Sequence, residues 1–241
     1  MSDPWDRHAR WWRDNFTEGA DPEYEEQLIP LVLGHLVPGS RVLDLGCGEG
    51  QVARRCAADL GCRVIGIDSS AAQLHTARGR GGPPGYARGS AVSLPVRDGA
   101  FDAVVACLVL EHVEDLRASV AEAARSLRFG GRFLVLLNHP IVQTPGSGWV
   151  DDHIVDPPEQ YWQLGPYLVE RPNTEQVDPG VFITFNHRPL SRYVNTASEQ
   201  GLLLTRMEEP PPPPGFVAQA PEYTEQTTMP RVLFLRFELL R

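Results

Sequence analysis

The chain predicts an α/β fold with a doubly wound, mainly parallel sheet, and three observations carry that prediction. Short apolar, β-branched runs alternate with helix-patterned segments from Arg41 to Asn138. The first run, Arg41 to Leu45, ends in the turn Gly46-Cys47-Gly48-Glu49-Gly50 before a helix-like segment opens at Gln51. The second run, Arg63 to Ile67, stops at Asp68-Ser69-Ser70, about 20 residues past the turn. Strand, glycine turn and helix in this order build a nucleotide pocket, because glycine lets backbone approach a ligand where a Cβ would collide.

Taken in order, the elements begin with Trp5, Trp11, Trp12, Phe16 and Tyr24, interleaved with Asp and Arg. This pattern predicts a helical flap over residues 1–38, or a surface helix docked on the core by its aromatics. Pro30 interrupts the segment Pro22 to Val37, so two helices or a kink are expected there. The helix from Gln51 breaks at Asp59 to Gly61, and a second helix runs from Ser70 to about Ala77. Gly79 to Gly85 reads as a loop, followed by a short strand at Tyr86 to Arg88. Phe101 to Ala106 is a buried strand, and Asp115 to Leu127 is a helix with Leu116, Val120, Ala123, Ala124 and Leu127 on one side. Phe129-Gly130-Gly131 ends it, and Arg132 to Asn138 is the fifth strand. The βαβ rhythm implies right-handed crossovers.

Composition bounds the function. The 241 residues are 42% hydrophobic, enough for one sizeable core, and the formal net charge of −9 disfavours a nucleic-acid backbone as partner. No apolar run approaches the roughly 18 residues of a membrane span, and the first residues lack a signal-peptide pattern, so a cytoplasmic protein without membrane contact is expected. The four cysteines, Cys47, Cys56, Cys62 and Cys107, form no C-x-x-C pair and stand apart from clustered histidines. Reduced thiols and no metal site are expected.

Asp44, Gly46, Gly48 and Gly50 give the form D-x-G-x-G-x-G, which resembles the first motif of class I S-adenosylmethionine (SAM) dependent methyltransferases. A dinucleotide fingerprint would need Gly or Ala where Gln51 stands, which opposes a nicotinamide oxidoreductase. The segment from Gly89 to Asp115 is similar to the small-molecule methyltransferases of ubiquinone and menaquinone biosynthesis. Ser93-Leu94-Pro95, Asp98-Gly99, Phe101-Asp102 and Leu110-Glu111-His112-Val113 carry that similarity, which extends over Ser40 to Asn138.

The resemblance implies a Rossmann-like, doubly wound, seven-stranded, mostly parallel sheet with one antiparallel strand and a cap inserted after the fifth strand. It divides the chain into a flap (1–38), a SAM-binding core (39–138), a substrate cap (139–188) and a closing helix with the last two strands (189–241). Those strands are expected at Leu202 to Glu208 and Val232 to Leu240, with Ser191 capping the closing helix. SAM is the implied cofactor and S-adenosylhomocysteine the product. Asp44 is implied at the methionine end, bordered by Gly46, Cys47 and Gly48. Asp68 suits the two ribose hydroxyls because a carboxylate accepts two donors at once, although it could instead cap the following helix. Ser69 adjoins it, and Gln73, one turn on, reaches the adenine rim. The family's acidic residue facing the adenine amino group falls at Ser90, a weaker acceptor, which leaves the Ala91 and Val92 backbone to serve. Cys107 and His112 complete the cofactor side.

Residues 139–188, rich in Pro, Gly and aromatics, are expected to decide the substrate, since long irregular stretches are usually lids or binding loops. Trp149, Tyr161, Trp162 and Tyr167 are its candidate acceptor contacts, with Trp12 from the flap, and Val181 to Phe185 alternates like a strand of a hairpin. A homodimer contact is the alternative reading of this insertion. Asp156-Pro157-Pro158-Glu159 resembles a base-flipping motif but lies after the fifth strand and ends in Glu, so it reads as a turn. Pro210 to Pro214 reads as a stiff connection.

Methyl transfer from a sulfonium disperses charge, and alignment with water exclusion supplies much of the acceleration. A hydroxyl acceptor benefits from a general base, for which histidine suits neutral pH. His139 and His187 are the first candidates and His153 the next, with His112 read as structural or cofactor-side. O-methylation of a small molecule in secondary metabolism is the expected function. N- or C-methylation, a SAM enzyme of rearrangement or cyclisation that transfers no methyl group, and a nonenzymatic SAM-binding module are the alternatives.

Overall fold

A computed structural model describes residues 4–219 and 228–240. Helix α1 (Pro4–Phe16) opens it, a π-helical turn follows at Tyr24–Leu28, and α2 (Ile29–His35) continues from that turn. The helical backbone runs without a break from residue 22 to residue 35, with Leu28 and Ile29 both right-handed, so Pro30 lies inside it, directly after the π-helical turn whose last N–H, that of Ile29, bonds the Tyr24 carbonyl. The βα alternation then runs β1 (Arg41–Leu45), α3 (Gln51–Leu60), β2 (Arg63–Asp68), α4 (Ala71–Arg80), β3 (Gly85–Arg88), β4 (Phe101–Cys107), α5 (Leu116–Ser126) and β5 (Leu127–Asn138). Two hairpins follow, β6 (Gly148–Asp152) with β7 (Glu159–Gln163) and β8 (Arg171–Asp178) with β9 (Val181–His187). Helix α6 (Leu190–Glu199), β10 (Leu202–Glu208), α7 (Pro214–Gln219) and β11 (Val232–Leu239) are the last elements among the described residues.

The main sheet has seven strands in the order β10-β11-β5-β4-β1-β2-β3. Strand β11 runs antiparallel to both β10 and β5, and the pairs among β1 to β5 are parallel. Alternation along the strands divides the core into two layers. Leu43, Leu45, Val104 and Ala106 face α5 and α6, whereas Val42, Ala103 and Val105 face α2 and α3. Burial on both faces explains why β1 and β4 read as continuous apolar runs rather than alternating ones.

Three boundaries differ from the sequence reading. Helix α4 continues through Gly79 to Arg80 and stops at Gly81 (φ 69°), whose N–H bonds the Arg78 carbonyl. A glycine in the last turn costs about 1 kcal/mol, less than is needed to end a packed helix. Strand β5 starts at Leu127, because Arg128 to Gly131 forms a bulge: the register jumps from Phe101↔Leu127 to Ala103↔Arg132. Ser191 lies inside α6 and caps nothing; Pro189 holds the N-cap position with an extended backbone.

Candidate active site

A cavity of about 790 Å³ opens at the carboxyl ends of β1, β2 and β4, where ligands bind in open α/β sheets. Two interactions shape its floor. Gly46, at φ 69°, lies against the Val109 side chain where a Cβ would collide. The N–H of Gly48 donates to Asp68 Oδ2 at 2.8 Å, tying the glycine turn to the end of β2. Asp68 Oδ1 accepts from Ser70 N at 2.8 Å, and Ser70 Oγ accepts from Gln73 N at 3.2 Å. Ser70, not Asp68, is therefore the side-chain cap of α4.

Asp44 is 2% exposed, and its Oδ2 has no hydrogen-bond partner among the described residues. Burial pushes its carboxyl up to about 7; the Ala53 N–H opposes this, while the carboxylates of Asp68 and Glu49 add to it. Glu49 Oε1 and Gln73 Oε1 are likewise buried without partners, and both residues line the cavity. The other oxygen of Glu49 is held by Arg54 and Arg80. Three residues of one cavity thus carry a buried acceptor without a partner among the described residues, a lining suited to a ligand with N–H, O–H or positively charged groups.

Asp44, Gly46, Cys47, Gly48, Asp68, Ser69, Gln73, Ser90, Ala91, Val92, Cys107 and His112 all line this one cavity, as does Trp12. The remaining acceptor candidates do not. Trp149 and Trp162 pack edge to face on each other at 5.4 Å across the β6–β7 pair, so their rings hold that hairpin together. Tyr161 is exposed on β7, and the Tyr167 hydroxyl accepts from Leu190 N at 2.8 Å. The wall comes instead from the β8–β9 hairpin, through Thr174, Phe182, Ile183 and Thr184, and from Trp5 and Tyr24. The strand-like alternation of Val181 to Phe185 was the signal for the first group, and the aromatic crowding before β1 for the second.

The three histidines favoured as general base are also elsewhere. His139 is 1% exposed; Ile141 N donates to its Nδ1 at 3.2 Å and its Nε2 faces Glu209 at 2.8 Å, which leaves no free lone pair. His187 is buried with Nε2 donating to the Tyr167 carbonyl at 2.7 Å. His153 is exposed on the β6–β7 connection. The histidines on the cavity are His8 and His112. His112 Nδ1 is 3.0 Å from the Thr184 carbonyl. A carbonyl only accepts, so this bond places the proton on Nδ1 and leaves a lone pair on Nε2. The ring is held between Trp5, at 5.0 Å, and Phe185, at 4.8 Å.

Helix α1 closes the cavity from above. Asp6 accepts from Ser70 Oγ at 2.6 Å and Ala72 N at 3.1 Å, and Trp11 Nε1 donates to Asp178 Oδ2 at 2.8 Å. One helix thus spans the start of α4 and the β8–β9 hairpin.

A family model described as a methyltransferase domain matches residues 43–135. Over 114 residues the chain is 40% identical to a probable S-adenosylmethionine-dependent methyltransferase of Mycolicibacterium smegmatis, covering 47% of this chain and 44% of that protein. It is 30% identical over 136 residues to an O-methyltransferase of Aspergillus sclerotiorum, covering 53% and 52%. The crystal structure of an S-adenosylmethionine dependent methyltransferase from Mesorhizobium loti matches with a TM-score of 0.74 and 28% identity over 87% of this chain and 96% of that one. The chain spans about half the length of the curated relatives it matches.

Proposed function

From the match of residues 43–135 to a methyltransferase domain and the likeness to SAM-dependent methyltransferases, we propose that the chain methylates a hydroxyl of a small, largely apolar acceptor with SAM as methyl donor and His112 as the proton acceptor. The observation that carries the reading is His112 itself: a histidine on the cavity whose Nδ1 is engaged by the Thr184 carbonyl and whose Nε2 keeps its lone pair. The similarity to an O-methyltransferase supports oxygen as the methylated atom.

The residues present fit the cofactor. Asp44, with its unpaired buried Oδ2, suits the ammonium group of the methionine moiety; Asp68 suits the ribose hydroxyls; and Gln73, with an unpaired Oε1, suits the adenine amino group. SAM supplies a methyl group activated by a sulfonium. The chain's own residues do the rest. Trp5, Trp12, Val109, Phe182 and Ile183 line the cavity with apolar surface that excludes water and favours an acceptor of low polarity. His112 Nε2 takes the hydroxyl proton as the oxygen becomes nucleophilic, and the Thr184 carbonyl stabilises the imidazolium through Nδ1–H.

The test is a screen of phenols, enols and aliphatic alcohols with methyl-labelled SAM, followed by His112→Gln. Turnover should fall by about 100-fold or more, with S-adenosylhomocysteine affinity unchanged by calorimetry. A variant that retains its turnover would sink the assignment of the base.

A further inference from the structure

We infer that Arg188 is a positioning residue for the reaction, acting through the turn that carries His112; this rests on the reading of His112 as proton acceptor. Arg188 follows β9 and is 7% exposed. Its Nη1 donates to the Leu110 carbonyl at 3.1 Å, and its Nη2 donates to the carbonyls of Val113 at 2.7 Å and Glu114 at 2.8 Å. These carbonyls flank His112 on both sides. Two residues earlier, the N–H and side-chain amide of Asn186 both donate to the Glu111 carbonyl, at 2.7 and 3.1 Å. Two residues earlier again, the Thr184 carbonyl meets His112 Nδ1. Every second residue of this strand therefore fixes one stretch of the turn, as the period of an extended chain dictates.

The turn needs such support. It opens at Leu108, a non-glycine residue held at φ 54°, a conformation that persists only where the surroundings over-determine it. The bonds within the turn are few: His112 N to the Val109 carbonyl at 2.9 Å and Val113 N to the Leu110 carbonyl at 3.3 Å. A buried guanidinium serving three carbonyls supplies charge-assisted bonds of fixed fork geometry, which a lysine ammonium reproduces only in part. Arg188 lies outside the cavity and touches no reacting atom. Its effect reaches the chemistry as the angle and tautomer of His112. The same strand presents Phe182, Ile183 and Thr184 to the acceptor, so acceptor contact and base orientation share one scaffold.

The test reads the tautomer directly and needs no acceptor. The full chain, labelled with ¹⁵N-histidine and saturated with S-adenosylhomocysteine, is examined by two-bond ¹H–¹⁵N correlation spectra at pH 8, with His112→Gln identifying the signal. The Nδ1–H form should dominate in the parent chain. In Arg188→Met it should give way to a mixture with the Nε2–H form that an unconstrained histidine side chain prefers, and Arg188→Lys should recover part of it. With an acceptor in hand, kcat should fall roughly 10- to 100-fold in Arg188→Met, the scale of a misplaced catalytic group, while the KM for SAM holds. An Arg188→Met chain that binds S-adenosylhomocysteine normally and keeps the parent tautomer overturns the inference. If that variant does not fold, Arg188→Lys decides: it keeps the buried charge but not the fork on three carbonyls, so a partly shifted tautomer supports the inference and the parent tautomer overturns it. Retained turnover in His112→Gln would sink the base assignment separately, without altering the tautomer result.

Discussion

Asp44 shows how one buried carboxyl links folding, pH and ligand. With no ligand its pKa is raised from the ordinary 3.8 to about 7, chiefly by burial. The native state therefore binds a proton that the unfolded chain has released. The stability this contributes is fully present below pH about 4 and is lost as pH rises through about 7. A cationic ammonium beside Asp44 reverses the preference by favouring the carboxylate. S-adenosylhomocysteine binding at pH 6 should thus expel a proton, and affinity should climb with pH until about 7 and then level. Calorimetry in two buffers of different ionisation heat counts the proton, and Asp44→Asn should release none and flatten the profile in that window. Asp44, Gly46 and Asp68 were legible in the sequence because the spacing of a glycine turn is a local property. The contact behind the proposed base was not. His112 meets a carbonyl 72 residues away, and nothing near either residue announces their meeting. His139, next to β5 in sequence, is instead spent on Ile141 and Glu209.

At the scale of elements, α1 and the β8–β9 hairpin act as one clamp. Asp6 is held by Ser70 and Ala72 at the start of α4, Trp11 is held by Asp178 on β8, and Trp5 lies on His112 between them. Removing both ends, with Asp6→Ala and Trp11→Phe together, should leave the sheet intact and loosen the helix. Limited trypsin digestion should then cleave within α1, at Arg7, Arg10 or Arg13, several-fold faster than in the parent chain; equal rates would show that the helix is held by its aromatic face alone. That face is substantial, since Trp12 stacks on Phe16 at 4.5 Å and meets Tyr24 edge to face at 6.3 Å. The existence of α1 and of a strand at Val181 to Phe185 followed from composition and period. Which aromatics of the insertion would face the cavity did not, because Trp149 and Trp162 pack edge to face on each other much as Trp5 does on Trp12, and only the placement of the hairpin in the fold separates them.

For the whole molecule, the two core layers place the glycine turn and the loops after β2 and β4 at one end of the sheet, and of the two inserted hairpins only β8–β9 joins Trp5 and Tyr24 in the wall opposite them. The other hairpin, β6–β7, pairs only with itself in a two-stranded sheet, and none of its residues line the cavity. Its connection carries Ile154 at 97% exposed, so little of the fold rests on it. The chain also leaves and re-enters at nearly one point, because Gly165 N donates to Ser147 Oγ at 2.9 Å. Joining Ser147 to Gly165 through two glycines should therefore excise residues 148–164 without moving β8–β9, and loop-closure entropy opposes this little, since the loop becomes shorter. S-adenosylhomocysteine affinity should stay within about twofold, a shift of roughly 0.4 kcal/mol, and acceptor turnover should persist. Excising β8–β9 at the same scale removes Thr184 and with it the partner of His112, so turnover should vanish there. If the first excision abolished cofactor binding, the division of the insertion into a dispensable arm and a working wall would be wrong.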